Sequence, residues 1–190
     1  MTVEIEASLP KLKKQGRLQA LRRISSLGRI TYEALRFEGD NTVKNNVIAR
    51  YLTAEAQAQM EDQAEALAVT PDNYKFKYKG VTAIDGRSAH LFQVTPRKKR
   101  VGLFKGELWI DDASHLRVQE AGVFVKNPSV FLKKIAFIRR YEIRDGLSVP
   151  LRTQSTVETR LVGKAQLNIA FSNFALDGQR RAGAADGEDQ

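Results

Sequence analysis

The most regular pattern in the chain begins at Asn73, where Tyr74, Phe76 and Tyr78 alternate with Lys75, Lys77 and Lys79. Successive side chains of a strand point to opposite faces, so this period of two puts aromatic rings on one side and ammonium groups on the other. Asp85-Gly86 is the kind of dipeptide that closes a tight hairpin, and His90 to Thr95 returns as the next strand. Further strands are expected over Gly106 to Asp111, Leu116 to Lys126, Lys134 to Arg144, Leu147 to Leu161 and Ala165 to Leu176. Turns at Asp111-Asp112-Ala113-Ser114, Asp145-Gly146 and Gly163-Lys164 separate them. Asn73 to Leu176 therefore reads as one antiparallel β-meander with an apolar face. Strands longer than usual make a sheet coil or close rather than lie flat, with Gly122 as a candidate bulge.

Upstream the pattern changes. Leu9, Leu12, Leu18, Leu21 and Ile24 recur mostly every three residues after Ser8 and Pro10, which predicts an amphipathic helix over residues 8–24. Its polar side would carry Lys11, Lys13, Lys14, Arg17, Arg22 and Arg23. Leu27 to Phe37 reads as a strand, with Ile30 and Tyr32 at period two. Val43, Val47 and Tyr51 fit a strand face, but with Ile48 and Leu52 they also fit a helical stripe, so residues 43–52 are strand or helix. The Ala, Glu and Gln run from Thr53 to Leu67 predicts a middle helix. Residues 177–190, rich in Gly, Ala and charge, are expected to be a disordered tail.

Length and composition then narrow the classes. The chain has 190 residues, 42% of them hydrophobic and 28% charged, which suits one folded domain over residues 1–176. A formal charge of +9 favours anionic partners. The chain contains no cysteine, which excludes disulfides and thiolate chemistry. The apolar run near Ile135 to Ile138 is far shorter than the ~20 residues that cross a bilayer. The start, Met1-Thr2-Val3-Glu4, lacks the basic and apolar regions of a secretory signal, so the chain is cytoplasmic or begins after a removed signal.

Candidate chemistry is sparse. His90 and His115 are the two histidines and lie on separate elements, so a metal site would need the fold to bring them together. Asp111 and Asp112 are adjacent, which in a strand sends them to opposite faces, and their place before Ala113-Ser114 marks a turn. Phosphate loops, nucleophile elbows and zinc-protease motifs are absent from the sequence, and a non-enzyme without cofactor or metal is expected. Arg97-Lys98-Lys99-Arg100, with Lys133-Lys134 and Arg139-Arg140, leaves open a basic nucleic-acid-binding sheet in which Tyr74, Phe76 and Tyr78 would stack on bases.

Phe92-Gln93-Val94-Thr95-Pro96 leads to Gly106-Glu107-Leu108-Trp109-Ile110-Asp111, followed by Leu116-Arg117-Val118-Gln119-Glu120. In that order of elements the chain, over most of Ile30 to Leu176, resembles the LolA-like family of outer-membrane lipoprotein-sorting proteins. The resemblance implies an α+β fold: a strongly curved antiparallel sheet, an unclosed β-barrel, with helices covering its opening. It also implies an apolar cavity that receives acyl chains of lipids or lipidated proteins in the periplasm. The expected lining is Tyr74, Phe76, Tyr78, Phe92, Trp109, Phe137 and Phe171, with Leu108 and Ile110 as alternatives to Trp109. Arg97, Lys98, Lys99 and Arg100 would meet anionic headgroups or an anionic membrane surface. The expected protein is a monomeric periplasmic carrier or sensor whose signal has been removed.

Overall fold

A computed structural model describes residues 1–25, 29–58, 61–127, 132–160 and 163–175. Its strands are β1 (Thr2–Leu9), β2 (Lys14–Ile24), β3 (Ile30–Gly39), β4 (Tyr74–Ile84), β5 (Arg87–Pro96), β6 (Phe104–Asp111), β7 (Arg117–Phe124), β8 (Leu132–Arg144), β9 (Leu147–Thr159) and β10 (Lys164–Ser172). They form one antiparallel sheet in the order β3-β2-β1-β10-β9-β8-β7-β6-β5-β4. Between β3 and β4 lies the helical part: α1 (Asn41–Val43), a π turn over Lys44–Ile48, α2 (Ala49–Ala58) and α3 (Glu61–Leu67). Asp40 caps it, its carboxylate accepting from the Thr42 amide at 2.7 Å. The ambiguous segment 43–52 is thus helical, and the protein is α+β with an unclosed sheet.

Residues 8–24 are not a helix. Val3, Ile5, Ala7 and Leu9 alternate inward along β1, Pro10–Leu12 makes a short 3-10 turn, and β2 returns in register, with Ile5 opposite Leu18. The leucines that suggested a three-residue period belong to different elements. The inward face of β2 is Gly16, Leu18, Ala20 and Arg22. Small residues and one arginine hide a period of two from any reading of hydrophobicity. Arg17, expected on a cationic helix face, points outward and pairs with Glu4 at 2.6 Å.

The helices lie on one face of the sheet and reach both ends of it. Glu55 on α2 bonds Arg22 on β2 and Tyr32 on β3, whereas Leu67, twelve residues on, packs with Tyr74, Val94 and Phe104 on β4, β5 and β6. In a flat sheet β3 and β6 would stand roughly 34 Å apart at about 4.8 Å per strand. The helical stretches between them, 55–58 of α2 and 61–67 of α3, advance only about 5 Å and about 9 Å. The sheet must curl around the helices, and the face they cover is its inner one.

Two cores result. One is aliphatic, built from Val3, Ile5, Leu9, Leu18, Leu167 and Ile169 against Val43 and Ile48 of the helical segment. The other is built from Tyr74, Val94, Leu103, Phe104, Leu108 and Phe137. Gly122 is not a bulge: it pairs regularly with Gly106 and Phe137. A Cβ there would come within 2.6 Å of the Phe104 ring, so the missing side chain makes room for that ring. The register slips instead at Leu35, Lys79, Val118, Lys133 and Leu151, each left without a partner across the ladder.

The two edges of the sheet differ. On β3, Arg36 pairs with its neighbour Glu38, and Glu33 pairs with Arg23 of β2. On β4, Lys75 and Lys77 project from the outer face and Lys79 sits at the bulge, beside the exposed rings of Phe76 and Tyr78. β10 ends at Ser172, short of the expected Leu176, and the expected tail lies outside the described residues.

Candidate functional site

Cross-strand register brings inward-facing rings from β4 to β8 into contact. Phe124 and Phe104 both lie 5.0 Å from Phe137, centroid to centroid, and Tyr74 lies 5.6 Å from Phe104. From Tyr74 the series continues through Phe76 at 6.4 Å, Phe92 at a further 6.4 Å, and Tyr78 at 5.3 Å from Phe92. Tilted and edge-on geometries at these separations are the favourable ones for aromatic pairs. One end of this ladder is interior, where the Tyr74 hydroxyl oxygen accepts a hydrogen bond from the Phe104 amide at 3.2 Å. The other end, on edge strand β4, is open: Phe76 is 38% and Tyr78 53% exposed.

Tyr74, Phe76, Tyr78, Phe92 and Phe137 are therefore brought together. Phe171 shares the inner face but lies in the aliphatic core, 5.7 Å beneath the Arg22 guanidinium. Trp109 pairs with Leu91 and Gln119 on the outer face, while Leu108, opposite Phe92, and Ile110 pack into the aromatic core. Phe104 and Phe124 were missed by sequence reasoning. The available signal was that Phe104 keeps the parity of Gly106 and Leu108, which extends β6 two residues toward Gly102.

The inner face is not wholly apolar. Glu120, 1% exposed, accepts from Arg117 Nη1 at 2.6 Å and from the Tyr141 hydroxyl at 3.2 Å, with Arg139 Nη1 at 3.6 Å. Burial, then the Glu120 charge, push the Tyr141 phenol up to about 12, so it stays a neutral donor. Arg117 and Glu120 are three apart, a spacing that in a regular strand separates faces. The slip at Val118 brings both inward. A second cluster joins sheet to helix: buried Arg22 donates to Glu55 at 3.1 Å and to the Tyr32 hydroxyl at 3.1 Å, and Tyr32 donates to Glu55. Burial and then Glu55 raise the phenols of both Tyr32 and Tyr51, and Arg139 lies within electrostatic reach of Tyr51 and Glu55.

The basic run Arg97 to Arg100 lies in the β5–β6 connection. Asp72, Asn73, Arg97, Lys98, Arg100 and Leu103 line a crevice of about 60 Å³ there. That is far below the roughly 300–1,000 Å³ of pockets for drug-sized ligands. Arg97 Nε donates to the Pro71 carbonyl at 2.8 Å, which fixes the loop.

His90 and His115 do not converge. His90 Nε2 lies 2.8 Å from Asp112 and its Nδ1 3.1 Å from the Tyr78 hydroxyl, at the exposed end of the ladder. His115 follows the Asp111 turn with a left-handed φ of 57°. Among the described residues no group of three or more His, Cys, Asp or Glu side chains could hold a metal. Asp111 serves its turn, accepting from the Ser114 amide at 2.9 Å and the Ser114 hydroxyl at 2.8 Å.

No family model matches the sequence, and no curated protein matches it. Among solved structures, the chain is similar to a DUF1329 family protein from Desulfovibrio piger, with 14% identity, 93% of this chain and 84% of that one covered, and a TM-score of 0.45. It is similar to a LolA superfamily protein from Nitrosomonas europaea, with 13% identity, 94% and 86% covered, and a TM-score of 0.43. A further similarity is to the Pseudomonas aeruginosa MucA/MucB complex, with 12% identity, 88% and 86% covered, and a TM-score of 0.29.

Proposed function

We propose that the protein is a non-enzymatic carrier or sensor of acyl chains, belonging to lipids or lipidated proteins, that takes the chain along the inner-face aromatic ladder. The observation that carries this reading is the continuity of that ladder from the exposed Tyr78 and Phe76 to the interior Phe104 and Phe137. Each methylene moved out of water stabilises binding by about 0.8 kcal/mol. Leu67 and Val69 pack on the interior rings. An entering chain would displace them and replace apolar contacts with apolar contacts, so opening costs little and release stays easy. The proposed setting is the periplasm, with the Arg97-Lys98-Lys99-Arg100 loop meeting anionic headgroups. Acting as a monomer is part of the same proposal.

The nucleic-acid reading gains no such support. Lys75 and Lys77 occupy the face opposite Phe76 and Tyr78, whereas single-strand binding needs cations and stacking rings around one groove.

The test is native mass spectrometry of the gently extracted protein, together with titration of an environment-sensitive fatty-acid probe. Bound lipid, or saturable probe binding that Phe76→Ala and Tyr78→Ala each weaken several-fold, is the expected result. Lipid-free protein that also ignores the probe would overturn the reading. Trp109 faces away from the ladder, so tryptophan emission is not the signal to follow.

A further inference from the structure

We infer that Arg117 and Arg139 form a receptor for the anionic head of an amphiphile, a carboxylate or a phosphate monoester, placed where the aromatic ladder ends. This rests on the acyl-chain reading above and names the ligand class within it. The charges around this place do not match. Among the described side chains of the inner face, three guanidinium groups, those of Arg22, Arg117 and Arg139, meet two carboxylates, those of Glu55 and Glu120. Arg22 and Glu55 satisfy each other, with Tyr32 completing the set. Arg117 and Arg139 share Glu120, with Glu55 within electrostatic reach of Arg139, so among the described side chains of the inner face the guanidinium groups outnumber the carboxylates by one.

Exposure points the same way. Glu120 is sequestered at 1% exposure, yet the two arginine side chains around it keep 40% and 37%. A carboxylate that only needed burying would be served by one arginine. Here a second cation is held beside the first against their mutual repulsion, and both side chains stay partly open to solvent. Guanidinium carries five N–H donors, and the contacts to Glu120 engage the Nη1 group of each arginine. The rest are free in number to take a second oxyanion.

Both groups are also held in place. Arg117 stacks 4.2 Å over the Tyr141 ring and Arg139 4.5 Å over the Phe137 ring. Stacked guanidinium is pre-organised for planar recognition of carboxylate and phosphate. Phe137 is itself the interior member of the ladder, in contact with Phe104 and Phe124. Charge and apolar track therefore meet on one ring. A ligand that lays its chain toward Phe76 and Tyr78 would set its head at Arg139.

Displacement of a bound fatty-acid probe from the full chain tests this with four competitors: dodecanoate, dodecyl phosphate, dodecanol and acetate. Charge-assisted hydrogen bonds of this kind predict that the two anionic chains compete at roughly tenfold or more lower concentration than dodecanol. Arg139→Gln and Arg117→Gln should each shrink the ratio between the dodecanol and dodecanoate concentrations needed, and Arg139→Lys should keep part of it. Dodecanol equal to dodecanoate on the unmodified protein would overturn the inference and leave the carrier reading standing, whatever the variants do. Acetate as effective as dodecanoate would overturn the link between head site and ladder. A protein that never binds the probe would sink the carrier reading itself, a result distinguishable from both.

Discussion

The two halves of the sheet bury comparable faces by different means. Around β1, β2 and β10 the chain covers itself: Val43 and Ile48 complete an aliphatic core, and the Arg22–Glu55–Tyr32 set ties α2 down. From β4 to β8 the face is made of rings, and its outermost members stay exposed beside an edge strand. The first half spends its apolar surface on the fold. The second leaves some of it exposed, the part that the acyl-chain proposal assigns to a ligand.

The comparison can be broken by stability measurements. Ile5→Ala, in the closed half, should cost about 2–5 kcal/mol in urea unfolding, as deletions in tight cores do. Phe76→Ala, in the open half, should stay within about 1 kcal/mol while weakening probe binding. Equal costs would mean that the ladder is ordinary core. A cost between these two is expected where helix meets sheet: Glu55→Ala leaves the buried Arg22 without its carboxylate and should cost about 2–3 kcal/mol in the same assay.

The smallest effect sharpens the contrast by being shared. Asp40, at the start of α1, is held below its ordinary value by hydrogen bonds from Thr42, and Asp111, in the β6–β7 turn, by those from Ser114. Both carboxyls bind a proton less readily folded than unfolded. Their stabilisation is therefore complete above the ordinary value of 3.8 and is lost as pH falls through the lowered folded values. The urea midpoint should drop on acidification from about pH 6 to about pH 3, and Asp40→Asn and Asp111→Asn should each flatten that drop. An unchanged acid limb in both variants would refute these assignments.

The meander was legible because aromatic and branched residues alternate with lysine and because Asp-Gly pairs mark its turns. The amino-terminal hairpin was not, since the inward face of β2 is Gly16, Leu18, Ala20 and Arg22, whose alternation is one of space rather than hydrophobicity. Most of the ladder could be read from parity alone. The arginine pair could not: the odd spacing of Arg117 and Glu120 separates them on paper, and only the slip at Val118 unites them. Bulges depend on what the neighbouring strand does, so one strand's sequence carries little trace of them. For Trp109 the parity of β6 left Leu108 and Ile110 as alternatives, and its pairing with Leu91 and Gln119 puts it on the outer face.

The open edge of β4 has a further meaning for life in a crowded solution. An unclosed sheet offers its rim as a template on which another copy could polymerise. Two β4 rims meeting edge to edge would bring Lys75, Lys77 and Lys79 of each copy against the same lysines of the other. The ammonium row thus acts as a fence: like charges on the exposed rim make the chain a poor seed for its own fibre.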